Sequence, residues 1–233
     1  MDPRYKSPTA QVVDAEADDE FRDLTRFTNV VVWMLRVGAF LAVLSLWSSW
    51  LQLDLLSRPF TQAEGTANDM REASVAGVSG LLVLATLIVF GRWIVLAHRN
   101  LPALGAQYLE YRPGWAVGWF FIPILNLWKP FQAMRSLWQY SYSVHRPELQ
   151  DSTWVLGVWW ALWLIHSFLG NFSLRTTHTI DALTITTQVA IVDCVVYIFL
   201  CVVASILVGR IWKAQEAQHE NPGEFDPAKG FAD

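Results

Sequence analysis

Charge is scarce in this chain: only 16% of its 233 residues are Asp, Glu, Lys or Arg, against 53% hydrophobic. A soluble domain carries about a quarter charged residues, so the shortage argues against a protein whose whole surface meets water. Cysteine is nearly absent. Cys194 and Cys201 are the two present, and on one helix their seven-residue separation puts the Cα atoms about 10.5 Å apart, too far for a disulfide. The chain has no H-E-x-x-H, no cysteine pair at ligand spacing and no glycine-rich phosphate loop, and His98, His145, His166, His178 and His219 are scattered. No cofactor or metal site is therefore expected. A basic stripe is missing too, which excludes nucleic-acid binding. No cleavable leader is evident, because the first apolar run begins at Val30 and is long enough to remain as an anchor.

What is present is clustered apolar sequence. Four runs, Val30 to Leu51, Ser74 to Ala97, Thr153 to Asn171 and Ala182 to Gly209, approach or exceed the roughly 20 residues that cross a hydrocarbon core of about 30 Å. The pattern predicts an all-α integral membrane protein with four transmembrane helices over about 30–51, 74–97, 153–171 and 182–209. Of the thirteen tryptophans, Trp33, Trp50, Trp93, Trp115, Trp128, Trp154 and Trp212 fall near run ends, where indoles prefer the headgroup boundary. Trp159, Trp160 and Trp163 lie deeper and are expected to pack between helices.

Between the second and third runs, RPGWAVGWFFIPILNLWKPF from Arg112 to Phe131 is too apolar for a surface loop and too interrupted for an ordinary helix. Pro113, Pro123 and Pro130 each remove a backbone donor, and Asn126 and Lys129 place polar groups where lipid rejects them. The apolar part, Trp115 to Trp128, has 14 residues, the length of a re-entrant or interfacial segment. A proline-broken segment over 115–140 is the expectation. Trp115, Trp119 and Trp128 would set its depth. Asn126 would fold back to bond the carbonyls freed by Pro123 and Pro130, and Lys129, Arg135 and Trp138 would face the cytoplasm.

Basic residues set the orientation. If 115–140 does not cross, one side holds 12 Lys and Arg and the other holds three, Arg58, Arg71 and Arg175. If it crosses, the bias vanishes. The reading is a multi-pass plasma-membrane protein with both termini cytoplasmic and a membrane domain over 30–213. Residues 1–29 form an acidic, disordered tail, because the first 23 carry the whole net charge of −4, and 214–233 form a polar tail.

NLPALGA (Asn100 to Ala106), the Arg112 to Trp138 stretch, WWALWL (Trp159 to Leu164) and RIWKAQ (Arg210 to Gln215) resemble the bacterial membrane domain-of-unknown-function family 4328, over about residues 30 to 215. The resemblance implies a bacterial multi-pass protein of the inner membrane. It carries no activity and no site residues.

Three ionisable groups fall inside predicted spans: Arg36, Arg92 and Asp193. The arginines lie about 8 to 9 Å from their helix ends, shallow enough to snorkel, whereas Asp193 is about 17 Å from its outer end. A carboxylate at that depth is neutral or paired, and Arg36 is the partner expected, with Arg92 next. Thr186, Asp193 and Tyr197 share one helix face. Gly77-Val78-Ser79-Gly80 and His166 sit at matching depth, a pattern shared with intramembrane serine hydrolases, although Ala73/Gly77 and Ala76/Gly80 also read as small-residue pairs for helix packing. Three classes of function fit: a non-catalytic membrane module that binds a membrane partner, itself or lipid; a small-molecule, lipid or ion conduit using the broken segment and Asp193; and a hydrolase using Ser79 and His166.

Overall fold

The computed structural model describes residues 20–106, 109, 112–143, 154–173 and 179–221. Among them the chain is all-helical, with six α-helices: α1 (Thr25–Leu56), α2 (Gln62–Ala103), α3 (Pro113–Gly118), α4 (Lys129–Tyr142), α5 (Trp154–Ser173) and α6 (Ile180–Glu220). Three of them, α1, α2 and α6, are long and apolar enough to cross a membrane. At 1.5 Å per residue, the 42 residues of α2 and the 41 of α6 reach about 60 Å, twice a hydrocarbon core. Each must stand clear of the lipid on at least one side.

The helices outrun the apolar runs for local reasons. Ahead of α2, Thr61 accepts the Glu64 N–H (3.3 Å) while Glu64 accepts the Thr61 N–H (2.8 Å), a capping box that starts the helix twelve residues before Ser74. Arg58 adds an ion pair to Glu64 at 2.9 Å. At the other end α6 continues through Ala214 and Gln215, both buried, to Glu220, so the expected polar tail begins inside a helix. The N-terminal boundary shifts as well: α1 starts at Thr25 and Leu24 is buried. The rest of the two expected tails, 1–19 and 222–233, lies outside the described residues.

Packing runs in the order α2, α1, α6, α5: α1 lies against both α2 and α6, α5 lies against α6, and α2 and α5 share no packed interface. The four long helices therefore form an open row. Between its two outer members sits the broken segment. Val117 packs on the bare backbone of Gly91 in α2, where a Cβ would meet the valine at 3.2 Å. On the α5 side, Phe120 meets Trp163 edge-on at 5.7 Å and Phe131 lies 6.2 Å from Trp160.

The segment breaks where the sequence requires, but its prolines act differently from expectation. Pro113 and Pro130 occupy the first turns of α3 and α4, where a missing N–H costs nothing. Only Pro123 interrupts, separating two 3-10 turns at Trp119–Phe121 and Leu125–Leu127. Phe121 (81% exposed) and Ile124 (70%) project from this bend, a placement that suits lipid and not water.

Burial concentrates at the end of the row where α2 and α6 finish, which we call the tail end. Trp93, Leu101, Leu137, Trp138, Leu207 and Ile211 are all buried there. In the most apolar stretch of α2, by contrast, none of the residues is buried. Lipid tails are as apolar as leucine, so no hydrophobic force drives helices together within a bilayer, whereas side chains beyond it gain about 1.5–3 kcal/mol each on burial. This corrects two tryptophans of the expected belt: Trp93 and Trp212 are core residues. Trp33, Trp50, Trp115, Trp128 and Trp154 are exposed, Trp159 and Trp160 are buried, and Trp163 stacks on Trp160 at 4.8 Å.

Candidate functional site: a polar column ending in a cavity

The opposite end, where α1 turns into α2 and α6 begins, is the hairpin end, and its interface is polar. Along α1, Gln52, Ser48 and Ser45 fall on one face at spacings of four and three. Gln52 Nε2 donates to Thr187 Oγ1 of α6 (2.8 Å), and Asn68 Nδ2 of α2 donates to Gln52 Oε1 (3.5 Å). One turn further in, Arg71 donates to Asn68 Oδ1 (2.6 Å) and through Nε to Ser48 Oγ (2.9 Å), while Ser48 donates to Glu72 (2.5 Å). Arg71 and Glu72 pair at 3.4 Å, so this knot carries no net charge. The next turn holds Ser45 and Ser79, their hydroxyls 3.4 Å apart.

The column ends at a cavity of about 160 Å³ lined by α1 (Gly38, Leu41, Ala42, Ser45), α2 (Ser79, Leu82, Val83), α5 (His166) and α6 (Asp193, Cys194, Tyr197). On its wall His166 Nδ1 donates to Asp193 Oδ1 at 2.8 Å. The two side chains keep 28% and 19% exposure, and Oδ2 of Asp193 takes no hydrogen bond from a described residue. The Tyr197 ring lies 4.9 Å from His166, and its hydroxyl comes so close to Gly38 that a Cβ there would sit 3.1 Å away. Glycine at 38 thus lets α1 approach α6 beside the site.

Asp193 is therefore paired, but with His166 and not with Arg36. Arg36 is exposed, its guanidinium 5.4 Å over the Trp33 ring, and Arg92 is exposed on α2. An arginine that can reach a headgroup gains nothing by burying its charge, whereas His166 on the helix packed against α6 reaches the carboxylate directly. Depth pointed to Arg36; helix facing selects His166.

Asn126 does not repair the bend. Its Oδ1 is buried without a partner, and the Trp119 carbonyl instead accepts the Ile122 N–H at 3.4 Å. Trp119 Nε1 is also buried and unpartnered, and its ring packs on Trp115 at 4.9 Å. Of the expected basic and aromatic face, Arg135 is exposed and Lys129 half-buried, but Trp138 points into the core and stacks on Tyr142. The small-residue pairs also pack nothing: a Cβ at Gly77, Gly80 or Gly114 would meet open space.

A second polar cluster holds the tail end together. Asn100, fully buried, grips the backbone of Arg22 with both ends of its amide, accepting its N–H (3.2 Å) and donating to its carbonyl (2.9 Å). Gln215 donates to the Ala97 carbonyl (2.9 Å) and to Ser141 Oγ (3.0 Å). Trp93 donates to Thr28 (2.9 Å), and Phe21 stacks on His219 at 4.0 Å. Beyond Asn100, Leu101 accepts the Ala106 N–H (3.1 Å) around Gly105, whose φ of 101° is a conformation that favours glycine. The strings NLPALGA and RIWKAQ thus meet as structural fastenings.

Sequence reasoning missed the column's Gln52, Ser48, Asn68, Glu72 and Thr187. The signal was available in Ser45, Ser48 and Gln52, polar residues at helical spacing on an otherwise apolar run.

Lipid-facing side chains, membrane-length helices and an internal polar column define a helical, multi-pass membrane domain. The model of a domain of unknown function, DUF4328, matches residues 58–213, and the chain belongs to that family. The match begins in the turn before α2, so α1, which builds one wall of the cavity, lies outside it. No curated protein and no solved structure matches the chain.

Proposed function

We propose that this is a non-catalytic membrane module with four spans that holds a small ligand in the cleft between α2 and α5. The observation that carries the reading is that the Asp193–His166 pair lines an open cavity bounded by all four long helices, instead of being sealed in a packed interface. Irregular backbone at membrane depth normally lines protein or a cavity, and the broken segment fills the same cleft on the tail side. The fourth span is α5: its 20 residues cover about 30 Å, and tryptophan, which sits well at a boundary, dilutes its aliphatic content. The excess of basic residues on the tail side supports a cytoplasmic tail end, in a bacterial plasma membrane.

A hydrolase fits less well. Ser79 and His166 line one cavity and His166 Nδ1 bonds Asp193 as a triad histidine would, but the described hydrogen bond of Ser79 goes to Ser45 and not to His166. Both sit in regular helix, whose N–H groups are spent internally and offer no oxyanion hole.

The test is native mass spectrometry of the chain extracted with its surrounding lipid, compared with Val83→Trp, which fills the cavity. Loss of a bound small molecule or lipid in the variant supports the reading. Identical adducts in both proteins refute it.

A further inference from the structure

Resting on the ligand-holding reading above, we propose that the cavity binds a small organic ammonium group. Asp193 offers a carboxylate with one oxygen occupied by His166 and the other free of described partners. Apart from His166 on the other oxygen, no basic side chain among the described residues reaches it: Arg71 pairs with Glu72, and Arg36 and Arg92 are exposed. His166, Cys194 and Tyr197 are the other ionisable groups on the wall. An ammonium donates three hydrogen bonds and needs acceptors, and Asp193, Ser45 and Ser79 all line the same space. The Tyr197 ring, tilted against His166 with centroids 4.9 Å apart, adds an aromatic wall of the kind that attracts cations.

Size and the remaining walls narrow the class. A cavity of 160 Å³ holds a few water molecules at about 30 Å³ each, which suits a headgroup amine or a short alkylamine and excludes a bulky drug-like cation. Leu41, Leu82 and Val83 give its hydrocarbon part an apolar surface. Because α2 and α5 share no packed interface, the amine can enter through the lateral gap, either free or attached to a lipid. The shared chemistry is a primary ammonium.

Cys194 lines the cavity and is half-buried, whereas Cys201 is 2% exposed, so the native thiol is the reporter. In Cys201→Ala protein in phosphatidylcholine nanodiscs, three thiosulfonate reagents of similar size are compared: 2-aminoethyl (cationic), 2-sulfonatoethyl (anionic) and methyl (neutral). The cationic reagent should modify Cys194 about tenfold or more faster than the anionic one, the effect of one nearby carboxylate at intermediate dielectric. Ethylammonium should slow the neutral reagent. Asp193→Asn should abolish both effects while leaving the neutral reaction intact.

Slowing of the neutral reagent by phosphatidylethanolamine nanodiscs without free amine would assign the ammonium to a lipid, and slowing by ethylammonium alone would assign it to a soluble amine. Equal rates for the charged reagents, or protection that survives in Asp193→Asn, would overturn the ammonium site while leaving the cavity standing. Failure of all three reagents on folded protein would remove the open cavity and the proposed function with it. The rate ratio is measured with Asp193 in place, so the test does not depend on the variant folding.

Discussion

Replacing Asn100 by Leu should release the start of α1 from the rest of the domain. The amide makes two bonds to the Arg22 main chain at 3.2 and 2.9 Å from a fully buried position. Each intramolecular hydrogen bond contributes about 0.5–1.5 kcal/mol, and a buried polar group left unpaired costs about 1–3 kcal/mol more. Arg22 is partly exposed, so water can reach its freed N–H and carbonyl and most of the second term is avoided. The expected loss is about 2–3 kcal/mol, concentrated in residues 20–28, with the Trp93–Thr28 bond (2.9 Å), the Phe21–His219 stack and the Thr25–Glu216 bond as remaining ties. Asn100→Asp keeps the acceptor but not the donor and should fall between the two. Thermal unfolding in detergent gives the total, and amide hydrogen exchange locates it: Leu24 to Val31 should lose protection while α5 keeps its own. Stability within about 0.5 kcal/mol of the parent, or a loss of protection spread evenly over all helices, would refute the clamp.

Asp193→Asn and His166→Gln should show a coupling of about 1 kcal/mol or more in a double-mutant cycle, while Asp193→Asn with Arg36→Gln should be additive; calorimetry of the purified variants reads both. Gly91→Val should displace the broken segment, since its Cβ would meet Val117 at 3.2 Å, while Gly77→Val should leave stability unchanged because nothing lies within 4 Å; equal effects at the two sites would contradict the packing. Asn126→Leu removes a buried oxygen that has no partner, so we expect it to be neutral or stabilising by about 1 kcal/mol, with exchange from Gly118 to Lys129 unchanged or slower. For orientation, single cysteines at Gln62 and Ser143 in a background lacking Cys194 and Cys201 should divide cleanly, Gln62 reacting with an impermeant reagent on intact cells and Ser143 not.

The sequence by itself determined the parts of this protein that depend on solvent preference along the chain. Apolar runs long enough to cross lipid mark α1, α2 and α6, and the shorter run from Thr153 to Asn171 marks α5. The cluster of proline, glycine and tryptophan from Arg112 to Phe131 marks the interruption, because a proline N–H cannot be supplied by any neighbour. What sequence could not decide is which residue on one helix faces which on another. Asp193 had to be neutral or paired at its depth, and depth pointed to Arg36; only the packing of α5 on α6 brings His166 to it while Arg36 turns outward. The same holds for Glu72, which joins the column through a capping box that extends α2 far beyond its apolar run, and for Asn100 and Gln215, whose partners lie 78 and 118 residues away. Composition fixes where a chain meets lipid. Where two polar side chains meet each other depends on helix rotation, which tertiary contacts alone set.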